Sequence, residues 1–168
     1  MTEHSKMHLR VRACDRIAYY IQQTRIDGFD ADTRILEAPY IFDGFTYAGI
    51  SKQAQKEVGR KIREHVVPRK LIRDEAVNMF ANGCCREDVA NAISRHLHIV
   101  KITRAERDRI DNELKWKNCM PPDWTWNEDC PFERLRRGGI VFDIENLALD
   151  AIGLSRGEFT SMATKPLE

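Results

Sequence analysis

The fold of the middle of the chain depends on residues 61–68, Lys61-Ile62-Arg63-Glu64-His65-Val66-Val67-Pro68. The β-branched residues in this stretch are typical of a strand, and the residue before a proline is pushed towards extended geometry. The segment also continues a four-residue apolar rhythm that begins at Ala54, which is compatible with one long helix. Gly59 weakens such a helix, so we favour a helix ending at Gly59 and a strand from about 61 to 67.

Within this stretch, Glu64 and His65 stand side by side at the end of the predicted strand. Hydrolysis of a phosphodiester needs a base to activate water and a cation to offset charge on the scissile phosphate. An imidazole is the natural base near neutral pH, and a carboxylate is a natural ligand for a hard cation. Adjacent strand residues point to opposite faces, so the two can serve one site only where the strand ends, as it does at Pro68.

The segment before this strand is predicted to be a scaffold of helix and hairpin. Apolar residues at three- and four-residue steps predict an amphipathic helix from His8 to about Arg25. Aromatic and β-branched residues at 40–47 flank Asp43-Gly44, a dipeptide typical of a tight turn, and predict a short hairpin. Ser51 is a candidate N-cap for the helix that ends at Gly59.

The segment after Pro68 is predicted to alternate between helix and strand. A first helix stops at Asn82-Gly83, where glycine suits a left-handed C-cap, and a second runs from Arg86 to Leu97. The short β-branched run 98–102 predicts a buried strand. Thr103-Arg104-Ala105-Glu106 follows it directly and has the pattern of a capping box, which predicts a helix over 103–115.

The last part of the chain, 117–168, changes character. A proline- and tryptophan-rich loop, 120–126, is expected to cross the surface with its tryptophans packed down. A short helix is predicted around Ile144 to Ile152. Cys119 and Cys130 flank the loop, but the spacing matches no common zinc template, so a structural zinc site is not expected.

These elements predict an α+β chain that is mainly helical and forms a single domain over 1–168. We expect a helical and hairpin scaffold over 1–60. The core would be a ββα unit over 61–116, made of strand 61–67, strand 98–102 and helix 103–115, with a helical insert at 69–97. A loop-rich extension, 117–168, would complete the domain.

Composition limits the partners of this chain. Lys and Arg number 27 against 26 Asp and Glu, a formal net charge of +1, so a uniform basic field for nucleic acid is excluded and any basic surface must be local. No run approaches 18 apolar residues, so we expect no membrane association. The five cysteines are an odd set, with Cys84 and Cys85 adjacent, which favours a reducing, cytoplasmic location over a disulfide framework.

The motif Arg63-Glu64-His65-Val66-Val67-Pro68 resembles that of the HNH endonucleases of the His-Me finger group. In that family a motif of the type Glu/Asp/His-His-Val/Ile-x-Pro closes the first strand of a ββα-metal unit. The run 98–102 with the helix after it resembles the second strand and helix, so the resemblance covers roughly Lys61 to Leu114. It implies that His65 is the general base and that Glu64 helps to hold a divalent metal, Mg²⁺ or Mn²⁺.

The chain departs from the family pattern between and after the two strands. The insert 69–97 is longer and more helical than the usual loop, and it has no Cys-x-x-Cys pair. The family's central asparagine has three open candidates, and the final helical His or Asn is missing from the early turns of helix 103–115. The asparagine candidates are Asn78, Asn82 and Asn91; the remaining candidate metal ligands are Asp108, Asp111 and Asn112.

Arginines surround both parts of this unit and are candidates to bind phosphate, because guanidinium groups supply most contacts of proteins to nucleic-acid backbones. Two positive clusters would converge if the predicted strands and helix pack as in the family. The phosphate-binding candidates are Arg63, Arg69, Arg73, Arg104 and Arg107. The basic run Arg134, Arg136 and Arg137 could extend such a groove or bind another protein.

The sequence therefore favours a metal-dependent endonuclease, with DNA a better candidate substrate than RNA, of the kind found among toxins, phage proteins and restriction enzymes. The alternative is a non-catalytic helical binding protein, such as an immunity or regulatory partner, in which Glu64 and His65 only stabilise a strand end. A protein inhibitor could also be a partner of the nuclease. The sequence does not determine the oligomeric state.

Overall fold

The computed structural model describes residues 2–163, and it is α+β and mainly helical, as predicted. The helices are α1 (Glu3–Ile26), α2 (Asp43–Thr46), α3 (Lys52–Lys56), α4 (Arg69–Ala81), α5 (Arg86–His96), α6 (Arg104–Asp108), α7 (Glu133–Arg137), α8 (Asn146–Ile152) and α9 (Arg156–Ala163). The strands are β1 (Tyr47–Ser51), β2 (Ile62–His65), β3 (Ile99–Ile102) and β4 (Phe142–Ile144). A 3₁₀ turn spans Thr33–Leu36, and α6 continues as a π-helical segment over Arg109–Glu113.

The chain divides into two compact units. The first comprises the described chain up to Thr46 together with Arg69–Leu97, and it holds α1, α2, α4 and α5. The second comprises Tyr47–Pro68 together with the described chain from His98, and it holds all four strands. The predicted insert 69–97 therefore groups with the N-terminal helix, and the predicted scaffold 1–60 is divided after Thr46.

The first unit is a layer of helices in which α1 packs along α5. The buried side of α1 includes Cys14, Ile17, Ala18 and Ile21, which recur at three- and four-residue steps, so this helix forms where the periodicity predicts it and begins earlier than His8. Burial of such apolar side chains contributes about 1.5–3 kcal/mol for each large one.

A helix that crosses a membrane must be both long and apolar. Within residues 2–163, no helix combines the length and the apolar content needed to cross a bilayer.

The second unit is built on a sheet with strand order β2-β3-β1-β4. β2 pairs antiparallel with β3, β3 pairs parallel with β1, and β1 pairs antiparallel with β4. Gly49 in β1 has φ +152°, and a Cβ there would lie 2.0 Å from the carbonyl oxygen of Asp143. A glycine is therefore needed for β4 to approach β1.

The predicted hairpin at 40–47 is wrong. Asp43–Thr46 forms the helical turn α2, and Tyr47 begins β1, whose partners are β3 and β4. The rings of Phe42 and Phe45 pack edge to face at 5.3 Å, which suits a helical turn and not the opposed faces of a hairpin. This packing outweighs the preference of Asp43-Gly44 for a tight hairpin turn.

The predicted separation of a helix from the strand β2 is confirmed. The Ser51 hydroxyl accepts a hydrogen bond from the Ala54 amide, so it caps α3 as predicted. Helix α3 ends at Lys56, Gly59 has φ +119°, and β2 begins at Ile62. The single long helix through 54–67 is thereby excluded.

Candidate functional site

The end of β2 carries Glu64 and His65, and the pairing with β3 fixes their neighbours. Glu64 lies opposite Val100 and His65 opposite Ile99. The ladder continues for one further bond, because the Val66 amide donates to the His98 carbonyl at 3.0 Å. The two candidate residues therefore sit on a paired strand and not on a loop, although the chain turns away three residues after His65.

Helix α6 follows β3 at once and lies against β2. The Glu106 amide donates to the Thr103 hydroxyl, and the Glu106 carboxylate accepts from the Thr103 amide at 2.8 Å, so the predicted capping box is present. The same carboxylate also accepts a hydrogen bond from the Ser51 hydroxyl at 2.7 Å. Glu106 therefore ties α6 to the end of β1.

Arg134, on α7, fastens the end of β2. Its side chain is 1% exposed, and its guanidinium donates to the Glu64 carboxylate and to the carbonyls of His65, Val66 and Trp116. The bond to Val66 is 3.3 Å and that to Trp116 is 2.9 Å. These contacts hold the backbone on both sides of the His65 peptide, and they satisfy carbonyls that the sheet does not pair.

Glu64 is the ion-pair partner of Arg134, and its side chain is 14% exposed. Arg134 binds the Oε1 atom of Glu64. A metal ion at this carboxylate would therefore have to bind Oε2, beside the arginine. A carboxylate already held by a buried guanidinium is a weaker metal ligand than one that faces other carboxylates, because the arginine repels a second cation. The predicted role of Glu64 thus competes with a structural role.

His65 is partly exposed, but its Nε2 atom is shielded from solvent. The two other histidines near β3 are structural: the ring of His98 packs on Phe132 at 5.2 Å, and Nδ1 of His96 lies 2.8 Å from the Ala92 carbonyl. Both are buried.

The remaining candidate metal ligands lie on α6 and its π-helical continuation. Asp108 and Asn112 are exposed, whereas the Asp111 side chain is 11% exposed and forms an ion pair with Arg107 at 3.2 Å. Nowhere in the described part of the chain does a group of three or more His, Cys, Asp or Glu side chains stand close enough to hold a metal ion. π-Helical segments are frequent at functional sites, and Asp111 and Asn112 lie within this one.

The five predicted phosphate-binding arginines do not belong to one unit. Arg63 and Arg104 are exposed in the unit that contains the sheet, as is Arg107 with its Asp111 partner. Arg69 and Arg73 are on α4 in the helical unit, where Arg69 pairs with Glu37 and Arg73 pairs with Asp74.

The surroundings of Asp74 show how firmly Arg73 is held. Burial raises the pKa of Asp74, but hydrogen bonds from Lys70 and Arg73 outweigh this effect and hold the pKa below its ordinary value. Asp74 therefore stays ionised and keeps its partner. Arg73 also donates to the Ala31 carbonyl at 3.2 Å, so a phosphate would have to displace existing contacts.

Arg134 is the residue that the sequence interpretation missed, because it was counted with Arg136 and Arg137 in a basic surface run. Its neighbours do not by themselves predict its burial, because Phe132 and Leu135 share one side at a spacing of three and Arg134 lies about 200° around from Phe132. Only the contacts with the end of β2 show it. Arg136 and Arg137 instead pair with Glu133 on the same helix.

Comparison with known proteins adds no relative: no protein-family model, no curated protein and no solved structure matches the chain.

Proposed function

We propose that this chain is a metal-dependent endonuclease of the HNH type, with DNA as its favoured substrate, of the kind found among toxins, phage proteins and restriction enzymes. One observation supports it above the others. β2 and β3 pair antiparallel, α6 follows β3 and lies against β2, and His65 is the last residue of β2. This order of elements is the one that the resemblance of 61–114 implies.

In this proposal His65 takes a proton from the attacking water, and Arg134 keeps its backbone in place. General bases act only when they are held within hydrogen-bond reach of the proton, so a fixed strand end is useful to the chemistry. Arg63 and Arg104, both exposed in the same unit, would contact the phosphate. Arg107 would join them if it exchanged Asp111 for a phosphate.

The proposal includes Mg²⁺ or Mn²⁺, which would offset negative charge on the phosphate. The described residues fit such an ion only in part, because Glu64 offers one oxygen beside Arg134 and the acids of α6 do not complete a three-ligand group with it. Asp108, Asp111 and Asn112 remain proposed ligands. A cytoplasmic location is also part of the proposal, since all five cysteines are free thiols.

The test is cleavage of supercoiled plasmid DNA, with RNA and single-stranded DNA as further substrates, in Mg²⁺, Mn²⁺, Ca²⁺, Zn²⁺ or EDTA. We expect cleavage in Mg²⁺ or Mn²⁺, and at least a 100-fold loss in His65→Ala because a general base contributes about 10²–10⁴-fold. Lys61→Ala, next to the same strand, is the matched control and should cleave like the parent protein. Full activity in His65→Ala would reject His65 as the base.

A second candidate is a non-catalytic helical binding protein, such as an immunity or regulatory partner. The Glu64–Arg134 ion pair favours it, because a paired carboxylate at a strand end has a complete structural explanation. Absence of cleavage with every metal and every substrate, by a protein that melts cooperatively, would favour this candidate over the nuclease.

A further inference from the structure

Helix α1 carries a disproportionate share of the positive charge of the chain. The whole sequence has 27 Lys and Arg against 26 Asp and Glu. Within α1 there are five Lys or Arg and two Asp or Glu. The remainder of the chain is therefore slightly acidic, which makes α1 a candidate for a local basic surface.

The exposed side of α1 places two of these five basic residues, Arg12 and Arg16, in a row at four-residue spacing with two histidines and a tyrosine. Its members are all exposed, and we call them the α1 row: His4, His8, Arg12, Arg16 and Tyr20. Residues four apart lie one above the other on a helix. From His4 to Arg16 the row rises about 18 Å, which matches roughly five base pairs of a duplex.

The neighbouring acid does not neutralise the row. Asp15 is held by Arg86 of α5, at 2.8 Å between Oδ1 and Nε, and the same guanidinium stacks 5.6 Å from the ring centre of Tyr19. Among the described side chains, neither Arg12 nor Arg16 forms an ion pair. Like charges four residues apart destabilise a helix, so helix stability does not explain this placement.

The opposite side of α1 is occupied by the protein itself. Ala13, Ile17 and Ile21 are buried in the layer of helices with α5. A helix that binds a bilayer inserts its apolar side below the headgroups, and this side of α1 is already buried in the protein. An extended polyanion that follows one polar row of a helix is the better match.

We propose that the α1 row is a binding site for the phosphate backbone of nucleic acid. Arg12 and Arg16 contact successive phosphates, His4 and His8 extend the row, and the Tyr20 hydroxyl donates to a further phosphate oxygen. The site rests on α1 alone. It goes beyond the proposed nuclease, whose phosphate contacts were assigned to other arginines, and it exists whether or not His65 cleaves.

The test is binding of a fluorescein-labelled 20-base-pair duplex to the full chain, followed by anisotropy in EDTA over a series of salt concentrations. We expect Arg12→Ala with Arg16→Ala to weaken binding about tenfold and to make the log–log salt slope shallower by about 2. The matched control is Arg34→Ala with Arg156→Ala, which removes two exposed arginines held by Asp32 and Asn146. It changes the net charge equally and should leave affinity within about twofold.

Equal weakening in the two double variants would overturn the proposal, as would failure of the parent protein to bind the duplex. Binding to phosphatidylserine vesicles or to polyglutamate in place of the duplex would also overturn it. If the alanine variant melts at a lower temperature, Arg12→Lys with Arg16→Lys decides: it keeps both charges, so binding within about threefold of the parent supports the row. Duplex binding through α1 without cleavage in any metal would reject the nuclease and retain this site.

Discussion

Arg134 and Arg10 are two fully buried arginines, one in each unit, and they serve the same purpose with different acceptors. Arg134 holds the end of β2 through the carboxylate of Glu64 and three carbonyls. Arg10, on α1, donates to neutral oxygens: the Ser94 hydroxyl at 3.1 Å, the Leu97 carbonyl at 2.9 Å, and the carbonyls of Phe45 and Ser94. Each guanidinium thus supplies several donors to the end of an element.

The difference lies in how the buried charge is compensated. Burial lowers the pKa of Arg10, an effect that the nearby Cys14 only partly opposes. Arg134 instead forms an ion pair with the carboxylate of Glu64, which compensates its charge. Loss of either partner leaves the other as a buried charge without its counterion. Glu64 and Arg134 therefore form one buried ion pair, whereas the acceptors described above for Arg10 are neutral oxygens.

The largest effect is expected from Arg134→Met. This change leaves the Glu64 carboxylate without its buried partner and three carbonyls without a donor, so the free energy of unfolding should fall by about 3–5 kcal/mol. Chemical denaturation followed by circular dichroism measures it. Adding Glu64→Gln to this variant should recover part of the loss, because no stranded charge remains. A loss below about 1 kcal/mol would show that the ion pair is not a structural requirement.

A smaller effect is expected from Arg10→Met. It removes donors from the carbonyls of Phe45, Ser94 and Leu97, but it strands no carboxylate, so the free energy of unfolding should fall by about 2–4 kcal/mol. The measurement is the same denaturation experiment, with the two arginine variants side by side. If Arg10→Met is the more damaging of the two, the Glu64 carboxylate is not what makes Arg134 the more important arginine.

The smallest effect is expected from an exposed arginine. Hydrogen bonds from Arg34 hold the pKa of Asp32 down, from an ordinary value of 3.8 to about 2. Because this pKa is lowered in the folded state, any stability that the pair contributes is present above the ordinary value and is lost as the pH falls towards 2. Arg34→Ala should return the Asp32 pKa towards 3.8 with no measurable change in stability at neutral pH.

Titration of the Asp32 carboxyl carbon by NMR measures this shift. The amide of residue 34 still donates to Asp32 in Arg34→Ala, so an unchanged pKa would show that this backbone bond, and not the guanidinium, holds the pKa of Asp32 down. A clear loss of stability at neutral pH would show that exposure is a poor guide to which arginines of this chain are structural.

Elements whose signals are local could be predicted from the sequence alone. The break at Gly59, the capping box at Thr103 and the left-handed glycine at Gly83 depend on the backbone preferences of a few neighbouring residues, and all three are present. The α+β class follows from the same kind of signal, as does the strand before Pro68, which was predicted over 61–67 and is observed as β2 over Ile62–His65. The role of His65 as a base stays a prediction from the motif.

The contacts between side chains that are distant in sequence are known only from the packed structure. The register of β2 on β3, the grouping of 69–97 with the helical unit and the helical turn at Asp43 depend on contacts between distant residues. Arg134 and Arg12 are both arginines on helices, yet one is 1% exposed against Glu64 and the other is exposed on α1. The sequence specifies which residues are charged. The burial of a side chain is a property of the packed chain, because it depends on which apolar surfaces together exclude water.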